Sequence, residues 1–345
     1  MKILITGGTG FQGSNLSKKL LERGYDVNIL NLHSNKSELN IERFNLKDAN
    51  ITWGTILDIH TVKDVARDVD LIIHAAAKIH VDDSIEYPQD YFMTNVIGTC
   101  NVLEVARQFN IPVMHISTCE VYGHQKADLH ENCPLMPRSP YASSKAGADR
   151  MAYSYYTTYG LNVCIVRPFN VFGRGQKDGK TGAVIPIWTS KLLSGKDIAI
   201  YGEGEQSREF IYIDDLISAY EILIQKMISG KSLAGETINV GTGTEVKVKD
   251  LAFQLRNTVN TLHWKEPKNH DFSYPPAYEY DSKYSKIIFD DARPGEVKRF
   301  ISNSDKMKSF DWSLKIDLKS GLNDYVSWRI ELGDLEYKKQ LMMGM

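Results

Sequence analysis

The first apolar run, Lys2-Ile3-Leu4-Ile5-Thr6, has the length of a strand and breaks into Gly7-Gly8-Thr9-Gly10-Phe11-Gln12-Gly13. The apolar period then changes. Leu16, Leu20 and Leu21 share one face of a helix, and Gly24 after Arg23 is its stop. Val27–Asn31, Asp70-Leu71-Ile72-Ile73-His74 and Val113–Ser117 read as further strands, with helical stretches near 61–68 and 88–109 between them. This alternation predicts an α/β chain on a parallel, doubly wound sheet, with a ligand at the strands' carboxyl ends. After Gly173 the alternation weakens. A loop rich in Gly and Lys (Gly175–Gly182) precedes a helix from Ile185 to Ser194, and Thr237–Val240 returns to the sheet. A smaller mixed α/β lobe follows, in which Trp264–Pro276 lacks a clear period and reads as a loop.

The glycine turn adds chemistry to this pattern. Gly7 suits a tight turn, Gly10 lets backbone N–H groups approach a pyrophosphate, and Gly13 lets the helix pack closely on the strand. The helix N-terminus favours phosphate charge, so the strand–turn–helix at the chain start points to dinucleotide binding on a Rossmann-type sheet. Composition changes little. At 345 residues, with 42% hydrophobic and 24% charged residues and a net charge of −2, the chain reads as globular and carries no broad basic field for nucleic acid or membrane. It opens on a strand pattern that leaves no room for a secretion signal, and no apolar run approaches membrane-spanning length. The four cysteines (Cys100, Cys119, Cys133, Cys164) show neither metal-ligand pairs nor a disulfide framework, so no metal is expected and a reducing cytoplasm is the expected home.

In family order, the chain carries Gly7–Gly13, His74-Ala75-Ala76-Ala77, Thr94-Asn95-Val96-Ile97-Gly98-Thr99, Tyr141-Ala142-Ser143-Ser144-Lys145 and Arg167-Pro168-Phe169-Asn170-Val171-Phe172-Gly173. Arg208-Glu209-Phe210-Ile211-Tyr212-Ile213-Asp214-Asp215 and Arg293-Pro294-Gly295-Glu296 follow. In these segments it resembles the extended short-chain dehydrogenase/reductase family, the nucleotide-sugar epimerases and dehydratases. The resemblance implies a dinucleotide-binding domain over 1–173, with 205–240 returning to it. It also implies a nucleotide-sugar lobe formed by 174–204 and 241–345. The cofactor would be held by Gly7, Gly10, Phe11, Gln12, Gly13, Asn31, Thr55, Ala75, Ala76 and Lys145. Two positions depart from the family. Its NAD-binding members usually place an acid where this chain has Asn31, and an Asp where it has Thr55. An acid at the second strand's end accepts from the ribose 2′-hydroxyl and repels a 2′-phosphate. Asn31 still accepts such a bond yet no longer excludes the phosphate, and His33 and Lys36 stand close by. The resemblance makes NAD the expected cofactor, with NADP not excluded.

Two short runs carry the reaction. Tyr141 and Lys145 are four apart and share a helix face. Bringing a tyrosine from its reference pKa of about 10 to near 7 takes roughly 4 kcal/mol of phenolate stabilisation. The Lys145 ammonium and a positive nicotinamide ring can provide it, so Tyr141 can take a sugar hydroxyl's proton as the carbon gives up hydride. Thr118, at the end of a strand, can bridge Tyr141 and the substrate oxygen. By resemblance, Glu120 falls where 4,6-dehydratases place the base for the C5 proton, and a simple C4 epimerase has no need of one. Cys119 falls where some relatives place an Asp that acts as acid toward C6. A thiol with a pKa of ~8.5 already holds its proton at neutral pH, so Cys119 reads equally as that acid or as a small packing residue.

The resemblance places His80 at the sugar, with a structural role equally open. It places Asn170 and the 174–204 region at the substrate diphosphate, and Arg208 and Arg293 at its ribose or phosphate. The expectation is an NAD-dependent nucleotide-sugar 4,6-dehydratase acting on a nucleotide-diphosphate sugar. A 5,6-dehydratase variant is open because of Cys119. The rivals are an epimerase, a UDP-glucuronate decarboxylase and a catalytically idle nucleotide-binding module. A homodimer through the Tyr141 helix and its neighbour is implied by resemblance alone.

Overall fold

The computed structural model describes residues 1–125, 127–176, 182–230, 233–264, 285–291 and 299–342, with side chains as far as Gly333. The first half runs β1 (Lys2–Thr6), α1 (Phe11–Glu22), β2 (Asp26–Asn31), α2 (Asn35–Arg43), β3 (Asn50–Trp53), α3 (Ile59–Ala66) and β4 (Leu71–His74). It continues with α4 (Val81–Glu86), α5 (Pro88–Phe92), a π-helical turn (Met93–Ile97), α6 (Gly98–Phe109), β5 (Val113–Ile116), a 3₁₀ turn (Cys119–Tyr122), α7 (Pro140–Tyr159) and β6 (Val163–Pro168). The second half adds β7 (Val171–Phe172), α8 (Val184–Leu193), β8 (Ile198–Tyr201), β9 (Ser207–Arg208), β10 (Ile211–Tyr212), α9 (Ile213–Ile228) and β11 (Thr237–Val240). It ends with β12 (Val246–Lys247), α10 (Val248–Val259), β13 (Ile287–Asp290), β14 (Arg299–Phe300), α11 (Asp305–Lys308) and α12 (Leu318–Met342).

Seven parallel strands form the main sheet in the order β11-β6-β5-β4-β1-β2-β3. The sheet is doubly wound because the order reverses at β1. The crevice between the carboxyl ends of β1 and β4 is the place where such sheets bind ligands. Period-two alternation sends Ile3, Ile5, Ile29, Ile73, Met114 and Ile116 to the face shared with α1 and α9. Leu4, Leu30, Ile72, Val113 and Ile165 go to the opposite core, with Val102 and Leu103 of α6 and Ala152 of α7. Thr237–Val240 pairs with β6 at the sheet's edge. Outside the main sheet lie the short sheet β12-β9-β14 and the pairs β10-β7 and β13-β8. Among the described residues no helix is long and apolar enough to cross a membrane.

The structure departs from the helix expected over 88–109, which holds a π turn at Met93–Ile97. Thr94, Val96 and Ile97 are β-branched and crowd a regular helix. Asn95 turns inward instead: its Oδ1 accepts from Lys78 N at 2.8 Å, and its Nδ2 donates to Lys78 O and Ser144 Oγ, each at 2.9 Å. Trp264, expected to open a loop, ends a second π turn (Asn260–Trp264); residues 265–276 of that stretch lie outside the described residues.

Candidate functional site

The cofactor end is a turn that excludes side chains. Gly7 has φ +76°, and a Cβ there would lie 2.9 Å from Ala76 Cα. A Cβ on Gly13 would lie 2.1 Å from Gly7 O, which fixes how closely α1 approaches the turn. Gly10 caps α1 without a side-chain bond, so the N–H groups of the first turn face the crevice uncovered by a cap. Phe11 O accepts from Asn15 Nδ2 at 2.8 Å, and Gln12 Oε1 accepts from the Tyr220 hydroxyl at 2.7 Å. Both residues thereby brace α1. Asn31 Oδ1 accepts from Thr9 N at 3.4 Å, and its Nδ2 donates to Leu32 O and Ser37 Oγ. Its amide thus ties the glycine turn to the loop after β2. Thr55 Oγ1 accepts from Leu57 N at 3.2 Å. Ala75 N and Ala76 N donate to Thr6 O and Thr6 Oγ1, closing the wall opposite the turn.

At the reacting end, Ser139 caps α7 by accepting from Ala142 N, and Pro140 occupies the first turn. Tyr141 and Lys145 follow on that helix, both buried. The Tyr141 hydroxyl is hydrogen-bonded to Thr118, which partly offsets the burial that raises its pKa. Lys145 Nζ donates to Ile116 O at 2.7 Å. Burial pulls the Lys145 ammonium down to about 8, against the field of Asp149. Thr118 also caps the 3₁₀ turn, its Oγ1 accepting from Glu120 N at 3.3 Å.

The same turn carries the thiol and the carboxyl. Cys119 is 3% exposed, and burial, then the charges of Glu120 and Glu209, push its thiol well up. Asn170 N donates to its sulfur. Glu120 is half-buried, and burial raises its carboxyl while Arg208 opposes the shift. Six expected residues therefore converge: Thr118, Cys119, Glu120, Tyr141, Asn170 and Arg208. Asn170 Nδ2 is buried and has no hydrogen-bond partner among the described residues, a donor left for a ligand. His80 caps α4, and its backbone is hydrogen-bonded to Tyr91, whose ring stands edge-on to Tyr141 at 6.4 Å. Arg293 lies outside the described residues.

Several supporting residues were not singled out from the sequence. Ser84 Oγ accepts from Tyr141 N at 3.0 Å and holds α4 against the start of α7. Asp149 stands one turn beyond Lys145, and Tyr141, Lys145 and Asp149 share a four-residue spacing that marks one helix face. Arg167 opens one of the family segments and Tyr122 lies two residues beyond Glu120, yet what they touch depends on strand pairing that no local pattern displays.

The profile of the NAD dependent epimerase/dehydratase family matches residues 3–241. The chain belongs to that family. A dTDP-glucose 4,6-dehydratase of Streptomyces niveus is 33% identical over 289 residues, covering 79% of this chain and 84% of its own. Among solved structures, a UDP-glucose 4-epimerase of Thermotoga maritima with UDP-glucose superposes with a TM-score of 0.82 at 26% identity, covering 96% of this chain and 99% of its own. A dTDP-glucose 4,6-dehydratase of Streptomyces venezuelae with NAD bound gives 0.81 at 29%, covering 96% and 97%. Both named activities are thus represented at similar likeness.

The geometry of this epimerase/dehydratase fits NAD. The cradle between Gly7, Gly13 and Ala76 has no room for a Cβ, and α1 presents an uncapped N-terminus to an anion. Gly7 to Gly13 would hold the pyrophosphate, Asn31 and Thr55 would face the adenosine end, and Ala75, Ala76 and Lys145 would line the nicotinamide end.

Proposed function

We propose that the chain is a nucleotide-sugar 4,6-dehydratase. The observation that carries this reading is Glu120, a half-buried carboxyl raised by burial, on the turn whose Thr118 is hydrogen-bonded to Tyr141. An enzyme that only oxidises, rotates and re-reduces a 4-keto sugar has no use for a second base beside the redox tyrosine. Tyr141 takes the O4 proton, Thr118 bridges it to that oxygen, and the Lys145 charge stabilises the phenolate. NAD, held between the glycine turn and Lys145, would supply the hydride acceptor for C4 and the hydride donor at the end of the same turnover. Glu120 takes the C5 proton, made acidic by the transient C4 ketone. A carboxyl lifted toward the working pH is the better base for that step. Cys119, held as a thiol, faces the C6 oxygen and gives its proton to the departing hydroxyl. Asn170 holds the diphosphate, Arg208 and Arg293 meet the ribose or phosphate, and His80 borders the sugar. The outer faces of α6 and α7 leave Phe109, Tyr153 and Tyr159 exposed, which supports a homodimer there.

The test is product analysis with UDP-, dTDP-, GDP- and CDP-sugars. Loss of one water, with a C6 methyl and a C4 ketone by NMR, is expected. Unchanged mass with altered couplings would replace the reading by epimerisation, loss of carbon dioxide by decarboxylation, and a 5,6-unsaturated sugar by the variant in which Cys119 fails at C6. Glu120→Gln should slow dehydration by about 10²–10⁴-fold while NADH still forms on mixing with substrate.

A further inference from the structure

One buried network joins the two halves of the reacting end. Arg167, 1% exposed on β6, reaches Asp149 of α7 with two nitrogens: Nε donates to Oδ2 at 2.9 Å and Nη2 to Oδ1 at 2.8 Å. Its Nη1 donates to the Tyr122 hydroxyl at 2.8 Å and to Glu131 O at 3.3 Å. The guanidinium carbon lies 4.8 Å from the centre of the Tyr122 ring, and Phe169 stacks on that ring at 6.3 Å. The Tyr122 hydroxyl in turn donates to Asn239 Oδ1 at 2.7 Å. Asp149 Oδ2 also accepts from Ser117 Oγ at 2.7 Å. Burial alone would raise the Asp149 carboxyl, and the bonds and charge of Arg167 hold it well below its ordinary value.

The ends of this network matter. Tyr122 closes the 3₁₀ turn that begins at Cys119 and Glu120. Asp149 sits on the helix that carries Tyr141 and Lys145. Arg167 is therefore the rigid piece between the turn with the acid and base groups and the helix with the redox pair. Its planar fork fixes both partners at once, which a flexible ammonium cannot do. A displacement of about 1 Å at a reacting group can cost on the order of 10²-fold in rate.

We propose that Arg167, acting through Tyr122 and Asp149, is a positioning residue that sets Glu120 and Cys119 at their working distance from Tyr141 and Lys145. The role at Glu120 rests on the dehydratase reading; the clamp itself does not. Tyr122→Phe removes one hydroxyl and keeps the stacked ring. Under native conditions it should accelerate alkylation of Cys119 by iodoacetamide, read by peptide mass, by about fivefold or more, while NAD affinity stays within about twofold. Unchanged alkylation, or NAD affinity lost alongside, overturns the clamp.

With a converted sugar, the same variant should slow solvent deuterium uptake at C5 by about tenfold or more, with NADH formation within about threefold. Arg167→Lys, which keeps a charge toward Asp149 and loses the fork, should show the same split more strongly. Equal loss of both steps in both variants means a structural role only and overturns the proposal. Glu120→Gln in this assay addresses the underlying reading separately. Wild-type deuterium uptake there removes the base role of Glu120, and the alkylation result still decides the clamp.

Discussion

Burial acts in the same direction on two neighbouring side chains and gives them different chemistry. It keeps Cys119 a thiol at neutral pH, and it moves Glu120 from a permanent carboxylate toward a group that can accept and release a proton. For Lys145 the sign reverses, because burial disfavours its charged form. Below a pKa of about 8 its ammonium can stabilise a Tyr141 phenolate; above it that help is lost. The pH profile of kcat/KM, which reports the free enzyme, should therefore fall on its alkaline side from about pH 8. A flat profile there would contradict the role of Lys145. The convergence of Thr118, Cys119, Glu120 and Tyr141 was legible because the family segments keep their order and spacing along the chain. Asp149 and Arg167 were not, since a buried ion pair becomes visible only when β6 and α7 are brought together.

At the level of elements, the alternation of periods located β1, β2, β4, β5 and β11 of the main sheet and the helices α1, α3, α6 and α8, with the strand boundaries shifted by at most a residue. β3, β6 and the short strands outside the main sheet were not read. The π turn was hidden because hydrophobic spacing does not register one extra residue within a turn. The glycine turn is the element that would hold the cofactor. Gly13→Ala would drive a methyl to 2.1 Å from Gly7 O and 2.8 Å from Gly8 Cα, so backbone must move. The expected result is about 1–3 kcal/mol of lost stability by denaturant titration. NAD affinity should fall with it in calorimetric titration, because α1 can no longer approach the turn.

Across the whole molecule, His74 and His115 pair side by side on β4 and β5, their rings 5.4 Å apart. Burial, then the charge of Lys145, pulls His74 down to about 3 and His115 well below its ordinary value. Unfolded histidines bind a proton near pH 6.5, and these folded ones refuse it. The unfolded state therefore holds more protons below that pH, and stability falls on acidification by up to about 1.4 kcal/mol per pH unit for each ring. Buried carboxyls such as Glu209, raised by burial, act in the opposite sense and are common to wild type and variant. His115→Leu should thus lose less stability than wild type between about pH 6.5 and 5 in denaturant titrations. Equal slopes would contradict it.

The return of Thr237–Val240 to the sheet bears on independent folding. The chain leaves β6, builds β7 to β10 with α8 and α9, and comes back to cover that strand's outer side, where Ile165 N donates to Glu236 O. A fragment ending at residue 173 would present Val163–Pro168, buried throughout in the intact protein, as a naked parallel edge. Such an edge templates aggregation, and the fragment should appear in the insoluble fraction on expression. The main sheet and the segment between β6 and β11 are thus not separable cassettes: the strand that seals the sheet is reached only through that segment, and loss of either would unseal the other.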